Sequence, residues 1–221
     1  MQPMIPMQPP KRFPLAKRAM QRASLRLSRN GNTLTLALSM LFSVMVAFTT
    51  YLFCAVLMEI LYGLTMLELA VCDLIYYVAL VLSFALLALP LFVGRIRLAG
   101  LACAGEGAFL SELFYYYTSP RRFARSLLIG LIYPLCLLVP PFFSAVALAV
   151  GRESISPFAA LLHSARLWRT RLREVFCFWL RVLWHLILSA LTLGVLWVVY
   201  YAHHTTMSYW ELIRARDREN G

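Results

Sequence analysis

The sequence predicts an all-α integral membrane protein, a polytopic bundle of membrane helices. Three observations predict it. Of 221 residues, 61% are hydrophobic and only 14% charged, against about 45–50% and about 25% in a typical soluble domain. Several uncharged runs approach or exceed the ~20 residues a helix needs to cross a bilayer. The 21 Lys and Arg, against 10 Asp and Glu, gather beside those runs, the placement that sets orientation in a membrane. A single soluble domain of this length could not hide so much apolar surface from water. The net charge of +11 would point to nucleic acid in a soluble chain. Here it faces anionic headgroups, and no DNA- or RNA-binding module is recognisable.

Residues 1–14 hold five prolines and no periodicity, and read as a disordered lead. Over 15–29, Arg18, Arg22, Arg26 and Arg29 recur at spacings of four, four and three. Leu15, Ala19, Ala23 and Leu27 follow a second stripe. This is a basic amphipathic helix lying on a membrane surface. The next run, 30–58, carries no charge and ends at Glu59. The following loop holds Glu68 and Asp73 with no Lys or Arg. The run over 74–94 is closed by Arg95 and Arg97. A short interfacial helix over about 109–118 places Phe109, Phe114 and Tyr117 at headgroup level, and Ser119-Pro120 breaks it.

Beyond this point charge decides the count. Hydropathy alone gives spans over 126–150 and 182–201, but then Arg152, Arg166, Arg169, Arg171, Arg173 and Arg181 fall on the outer side, against the positive-inside rule. Hairpin tips at Pro140-Pro141 and at Leu191-Thr192-Leu193-Gly194 remove the conflict, because Pro lacks the N–H a continuing helix needs and Gly can end a helix. The preferred reading is one membrane domain over 30–213 with six hydrophobic segments, 30–58, 74–94, 126–139, 141–151, 174–191 and 194–213. Both termini are then cytoplasmic and 214–221 is a polar tail. The segment 141–151 reaches only ~16 Å as a helix, so a short or re-entrant hairpin at Pro140-Pro141 is the alternative there. Membranes tolerate such a hairpin where protein covers the loosened backbone.

Four stretches resemble a known family. They are the basic helix running into Asn30; Gly105-Glu106 followed by Ser111-Glu112-Leu113-Phe114; Ser164, Leu167 and Phe176 with Arg169 and Arg171 between them; and Leu191-Thr192-Leu193-Gly194 with Trp197-Val198-Val199, Tyr201 and Thr205. In this order they resemble an uncharacterised family of bacterial integral membrane proteins of the domain-of-unknown-function 975 type. The chain departs from the family pattern at Ala104, where Arg is usual, and at Trp168 and Thr170, where Met and Gly are usual. It departs again at Pro141, where Gly is common, and at Tyr200, where Pro is usual. The resemblance implies six hydrophobic segments with both termini inside, and no activity.

Candidate functional residues fall into two groups. An amphipathic cytoplasmic helix over about 158–173 places Arg166, Arg169 and Arg173 three and four apart, with Arg171 beside them and Leu162 and Leu172 on the apolar side. Such a helix can hold anionic headgroups at about 1 kcal/mol per Arg, and equally signals topology. Inside the membrane segments, Arg181 and His185 lie four apart, with Ser189 beyond them. His204 and Glu211 share a face of the last segment. Intramembrane ionisable residues are candidates for a substrate or proton path; Arg181 can instead snorkel to headgroups and the histidines bond neighbouring carbonyls.

No catalytic motif is present, no cofactor or metal ligand set is visible, and five dispersed cysteines read as small buried hydrophobes. The sequence therefore points to a non-enzymatic membrane protein engaging anionic lipid, a membrane-protein partner or a second copy. A small transporter is the alternative, resting on the broken apolar segments. Single cysteines near positions 160 and 192 test the topology. An impermeant reagent applied from outside is expected to label the second site and spare the first; the reverse pattern overturns the orientation.

Overall fold

The computed structural model describes residues 15–27, 32–65, 69–106, 109–142, 144–169 and 172–192, with Thr206, Trp210 and Ile213. Among the described residues every regular element is helical. Eight α-helices run in order: α1 (Leu15–Leu27), α2 (Asn32–Thr65), α3 (Leu69–Ser83), α4 (Leu89–Ala104), α5 (Pro120–Leu138), α6 (Ala145–Gly151), α7 (Pro157–Trp168) and α8 (Leu172–Leu191). A π-helical turn over Phe84–Ala88 joins α3 to α4, and 3₁₀ turns cover Leu110–Tyr117 and Pro140–Phe142.

Three stretches are long and apolar enough to cross a membrane: Thr33–Leu64, Ala70–Ala104 and Leu172–Leu191. They leave large apolar side chains such as Leu41, Phe48, Phe53, Leu74, Val81 and Trp184 exposed, as a lipid-facing surface requires. Where α2 meets its neighbours it turns a line of small residues inward, Ser39, Ser43, Thr50 and Cys54. The hydroxyls of the first three donate to carbonyls of their own helix, so the backbones approach closely and no polar atom is stranded.

The second apolar run lies within a longer helix. That helix does not stop at Arg95 and Arg97 but runs on to Ala104. It ends at Gly105, whose φ of 84° lets the Gly105 and Glu106 amides donate back to Ala102 and Leu101, a Schellman closure. The π-helical turn has a cause in Pro90. That residue has no N–H for the Leu86 carbonyl and its ring crowds the same carbonyl, so the ladder widens and the Leu89 amide reaches back to Phe84. The Tyr117 hydroxyl then donates to the carbonyls of Leu86 and Leu87.

The expected pair of crossings over 126–139 and 141–151 is not formed, and the six-crossing reading is corrected. Helix α5 begins at Pro120 and carries Arg121, Arg122 and Arg125 in its first two turns. Helix α6 has seven residues, about 10 Å at ~1.5 Å per residue, and cannot span. Its residues Ala145 to Val150 are all at most 5% exposed, packed among Val93, Ile96, Ile129 and Ile132. The chain turns at Pro140 and comes back to the start of α5, where one Nη of Arg125 donates to the carbonyls of Ala149, Arg152 and Ile155 at 2.7, 3.0 and 2.7 Å. Helix α5, the Pro140 turn and α6 thus form a hairpin whose two ends meet at Arg125.

Ser119-Pro120, read above as the break after the interfacial helix, follows the end of the Leu110–Tyr117 turn and also opens α5. Ser119 caps the Arg122 amide and Pro stands in the first turn, where its missing N–H costs nothing. The single helix expected over 158–173 is likewise two: α7 ends at Trp168 and α8 starts at Leu172. Leu162 and Leu172 are exposed, while Ala160, Ser164, Leu167 and Trp168 are buried. Ala160 and Ser164 allow α7 to lie close against α6 and the Pro140 turn, and the Trp168 indole reaches Ser144. Ala160 being buried, Leu162 (62% exposed) is the position at which an introduced cysteine reports topology. The segment 194–213 lies outside the described residues except at three positions. Of these, Trp210 donates its indole N–H to the Ile96 carbonyl at 3.1 Å and Ile213 joins the core around α6.

At Gly94 an added Cβ would strike the Leu113 carbonyl, whereas at Gly63 it would meet nothing within 4 Å. Gly94→Ala is expected to lower stability in detergent by about 1–3 kcal/mol. Gly63→Ala, in an open helix interior, is expected to be neutral or to raise it by up to about 1 kcal/mol. Thermal unfolding of the two variants checks the difference.

Candidate functional site

The charged side chains converge where α4, the Leu110–Tyr117 turn, the start of α5 and the loop from α6 to α7 meet. Arg97 on α4 pairs with Glu112 at 3.2 Å and with Glu153 at 3.7 Å. Its guanidinium also lies 3.7 Å from the ring centroid of Tyr115, and that of Arg122 lies 4.1 Å from the same ring. The Tyr115 hydroxyl donates to Glu153. Arg122 is further fixed by donating to Thr118 Oγ1 at 2.8 Å. Cation–π contacts of this kind contribute about 0.5–2 kcal/mol, more as water is excluded. Tyr115 thus joins two cations and one carboxylate that lie on three other chain segments.

Beside this junction opens a cleft of about 800 Å³, lined by Arg121, Arg122 and Arg125, by Ser119, Ser154 and Ser156, and by Glu153. Helices α5 and α7 both begin on it, each with a Ser cap followed by Pro. Glu153 is engaged by Arg97 and Tyr115, and Arg125 by three carbonyls. Arg121 is exposed. The cleft is therefore basic, hydroxyl-rich and fed by two helix N-termini, a setting that favours an anion. Among the described residues no group of three or more His, Cys, Asp or Glu converges as a metal site requires.

The residues singled out from the sequence lie elsewhere. Arg166 and Arg169 are exposed near the end of α7, and Arg173 is exposed in the first turn of α8. Arg171 lies outside the described residues, as do His204 and Glu211. Arg181 and His185 share a face of α8, but Arg181 turns to α1, its guanidinium 3.2 Å from the Met20 sulfur. His185 is half-buried. The sequence-level search missed Arg97, Tyr115, Arg122, Arg125 and Glu153, which are scattered over 57 positions. The repeated Ser-Pro pairs at 119 and 156 were the readable signal, since each marks a helix start.

Two further polar features are internal. Ser164 donates to the Pro141 carbonyl at 2.7 Å, and the Trp168 indole donates to Ser144 at 2.9 Å. The two serine oxygens lie 2.7 Å apart, so Ser144 donates to Ser164. Arg95 is 5% exposed. It lies over the Phe92 ring at 4.8 Å, and its Nε has no hydrogen-bond partner among the described residues.

Compared with known proteins, the chain matches no protein-family model, no curated protein and no solved structure.

Tyr116, 1% exposed, packs under this junction, and burial pushes its phenol from the ordinary 10.0 up to about 12. Between these values the unfolded chain has lost the proton and the folded chain keeps it, so stability falls as pH rises from about 10 to about 12. Tyr116→Phe is expected to remove up to about 2–3 kcal/mol of that alkaline decline. Denaturant titrations at pH 9.5 and 11.5 check it.

Proposed function

We propose that this chain is a non-enzymatic, multi-pass membrane protein that holds anionic lipid headgroups through its cytoplasmic arginines. The observation that carries the reading is the arginine-lined cleft at the start of α5 and α7, immediately beyond the point where the apolar part of the α3–α4 crossing gives way to Arg97. The aromatic side chains Phe109, Phe114 and Tyr117 are exposed on the adjoining turn, the residue types of a headgroup-level belt. Exposed Arg166, Arg169 and Arg173 extend the basic surface along α7 and α8.

Topology supports the same side for all of them. If 126–151 re-enters, α2, the α3–α4 helix, α8 and the segment 194–213 make four crossings. Both termini and every arginine cluster then lie in the cytoplasm, satisfying the positive-inside rule. This arrangement keeps the resemblance to the uncharacterised bacterial membrane family in its orientation and departs from it in the number of crossings. A membrane-protein partner or a second copy is a further occupant of the exposed apolar helices.

One observation favours a second reading, a small transporter. Arg95 is buried with its Nε unpartnered among the described residues, on a helix interrupted by a π-helical turn, and a buried intramembrane charge is a functional candidate by default.

Native mass spectrometry of the purified protein in detergent, offered equal phosphatidylglycerol and phosphatidylcholine, tests the first reading. Preferential retention of phosphatidylglycerol is expected, reduced in an Arg166→Gln/Arg169→Gln/Arg173→Gln variant. Equal retention of the two lipids by the wild-type protein overturns it.

A further inference from the structure

We infer that the cleft between the start of α5 and the α6–α7 loop is a discrete binding site for a phosphate monoester, which it recognises through Arg121 and Arg122. The inference rests on the lipid-binding reading above and goes beyond it. An exposed basic surface collects any anionic headgroup, whereas this site is built for one charge-dense group.

The cationic groups of the cleft have different commitments. Arg125 spends one Nη on three carbonyls and frames the floor; it is a positioning residue. Arg122 is held by Thr118 and by the Tyr115 ring, contacts that orient its guanidinium without neutralising its charge. Arg121 has no hydrogen-bond or ion-pair partner among the described residues. Arg97 lies between Glu112 and Glu153 and offsets one of these two carboxylates; against the other stand Arg121, Arg122 and Arg125, which leaves two positive charges in excess. The cleft therefore keeps an excess positive charge, with the Arg122 guanidinium held in place, and such forks suit the oxygens of a phosphate.

The serines supply the rest of a phosphate cradle. Ser119 Oγ accepts the Arg122 amide and Ser156 Oγ accepts the Ala159 amide. Each hydroxyl proton stays available to donate. The helices they cap have 19 and 12 residues, so two positive dipole ends reach the same cleft. Several donors and more than one unmatched positive charge favour the dianion of a monoester over the monoanion of a diester. The volume, about 800 Å³, is that of a small-molecule site and leaves room for the group to which the phosphate is attached. Exposed Leu128 lines it too, an apolar side chain suited to the glycerol or first methylenes of a lipid.

The monoester can come from a lipid headgroup or from a soluble metabolite, and the test separates these. The full chain in detergent is titrated with short-chain phosphatidic acid, with glycerol 3-phosphate and with phosphatidylglycerol, following binding by calorimetry. Phosphatidic acid is expected to bind more tightly than phosphatidylglycerol. Glycerol 3-phosphate competing with equal affinity identifies a soluble ligand; its failure to compete identifies the lipid. Arg121→Gln, at a residue with no structural partner among those described, is expected to weaken phosphatidic acid binding about tenfold, the loss of one charge-assisted hydrogen bond. Arg166→Gln/Arg169→Gln, on the general basic surface, is expected to lower phosphatidic acid and phosphatidylglycerol binding alike and to leave their affinity ratio unchanged. A wild-type ratio in the Arg121→Gln variant, or an equal fall of the ratio in the α7 double variant, overturns the inference. Either result leaves the phosphatidylglycerol preference standing, so failure of this site is distinguishable from failure of the general lipid-binding reading.

Discussion

One guanidinium sets the shape of the arginine-rich end of this protein. Arg125 stands two turns into α5 and gathers the carbonyls of Ala149, Arg152 and Ile155, the groups that the end of α6 and the following loop leave without helical partners. Because the donor lies at the start of the hairpin and the acceptors at its end, the chain must come back to the side from which it left. The burial of α6, the antiparallel run of α7 along it and the cleft at their common edge all follow from that closure.

Irregular backbone at membrane depth survives only where something pairs with it, and each break here has its own partner. The Pro140 turn is met by Ser164 from α7, itself held in a chain with Ser144 and Trp168. The Leu86 carbonyl that Pro90 leaves without an amide, and the neighbouring Leu87 carbonyl, are met by Tyr117. In both cases the partner is brought by a neighbouring element rather than by the interrupted helix. The close approaches that permit this fall on small residues: Gly94 against Leu113, and Gly100 and Gly151 under the Trp210 ring.

The basic residues, uniform in composition, divide into kinds once folded. Arg97, Arg122 and Arg125 join elements through carboxylates, a tyrosine ring and carbonyls. Arg95 is enclosed. Arg121, Arg166, Arg169 and Arg173 face outward. A count of positive charge beside apolar runs gives orientation, because that depends on how many cations sit near each membrane end. It does not separate a cation that builds the fold from one that meets a ligand, because the difference lies in what stands within 4 Å.

The sequence by itself determined the all-helical class, the apolar stretches within α2, α3–α4 and α8, the break at Pro140 and the helix α1. These are properties of local periodicity, run length and single residues such as Pro and Gly. Its errors lay where two segments compete for the same backbone. Arg95 and Arg97 look like the end of a helix until α5, α6 and the Leu110–Tyr117 turn are seen to enclose them. Residues 158–173 look like one surface helix until α6 claims Ala160 and Ser164. The cleft was invisible because Arg121, Glu153 and Ser156 come together only when the hairpin closes. Only the tertiary structure decided that closure, since hydrogen bonds spanning 24 to 30 residues leave no mark in the local pattern.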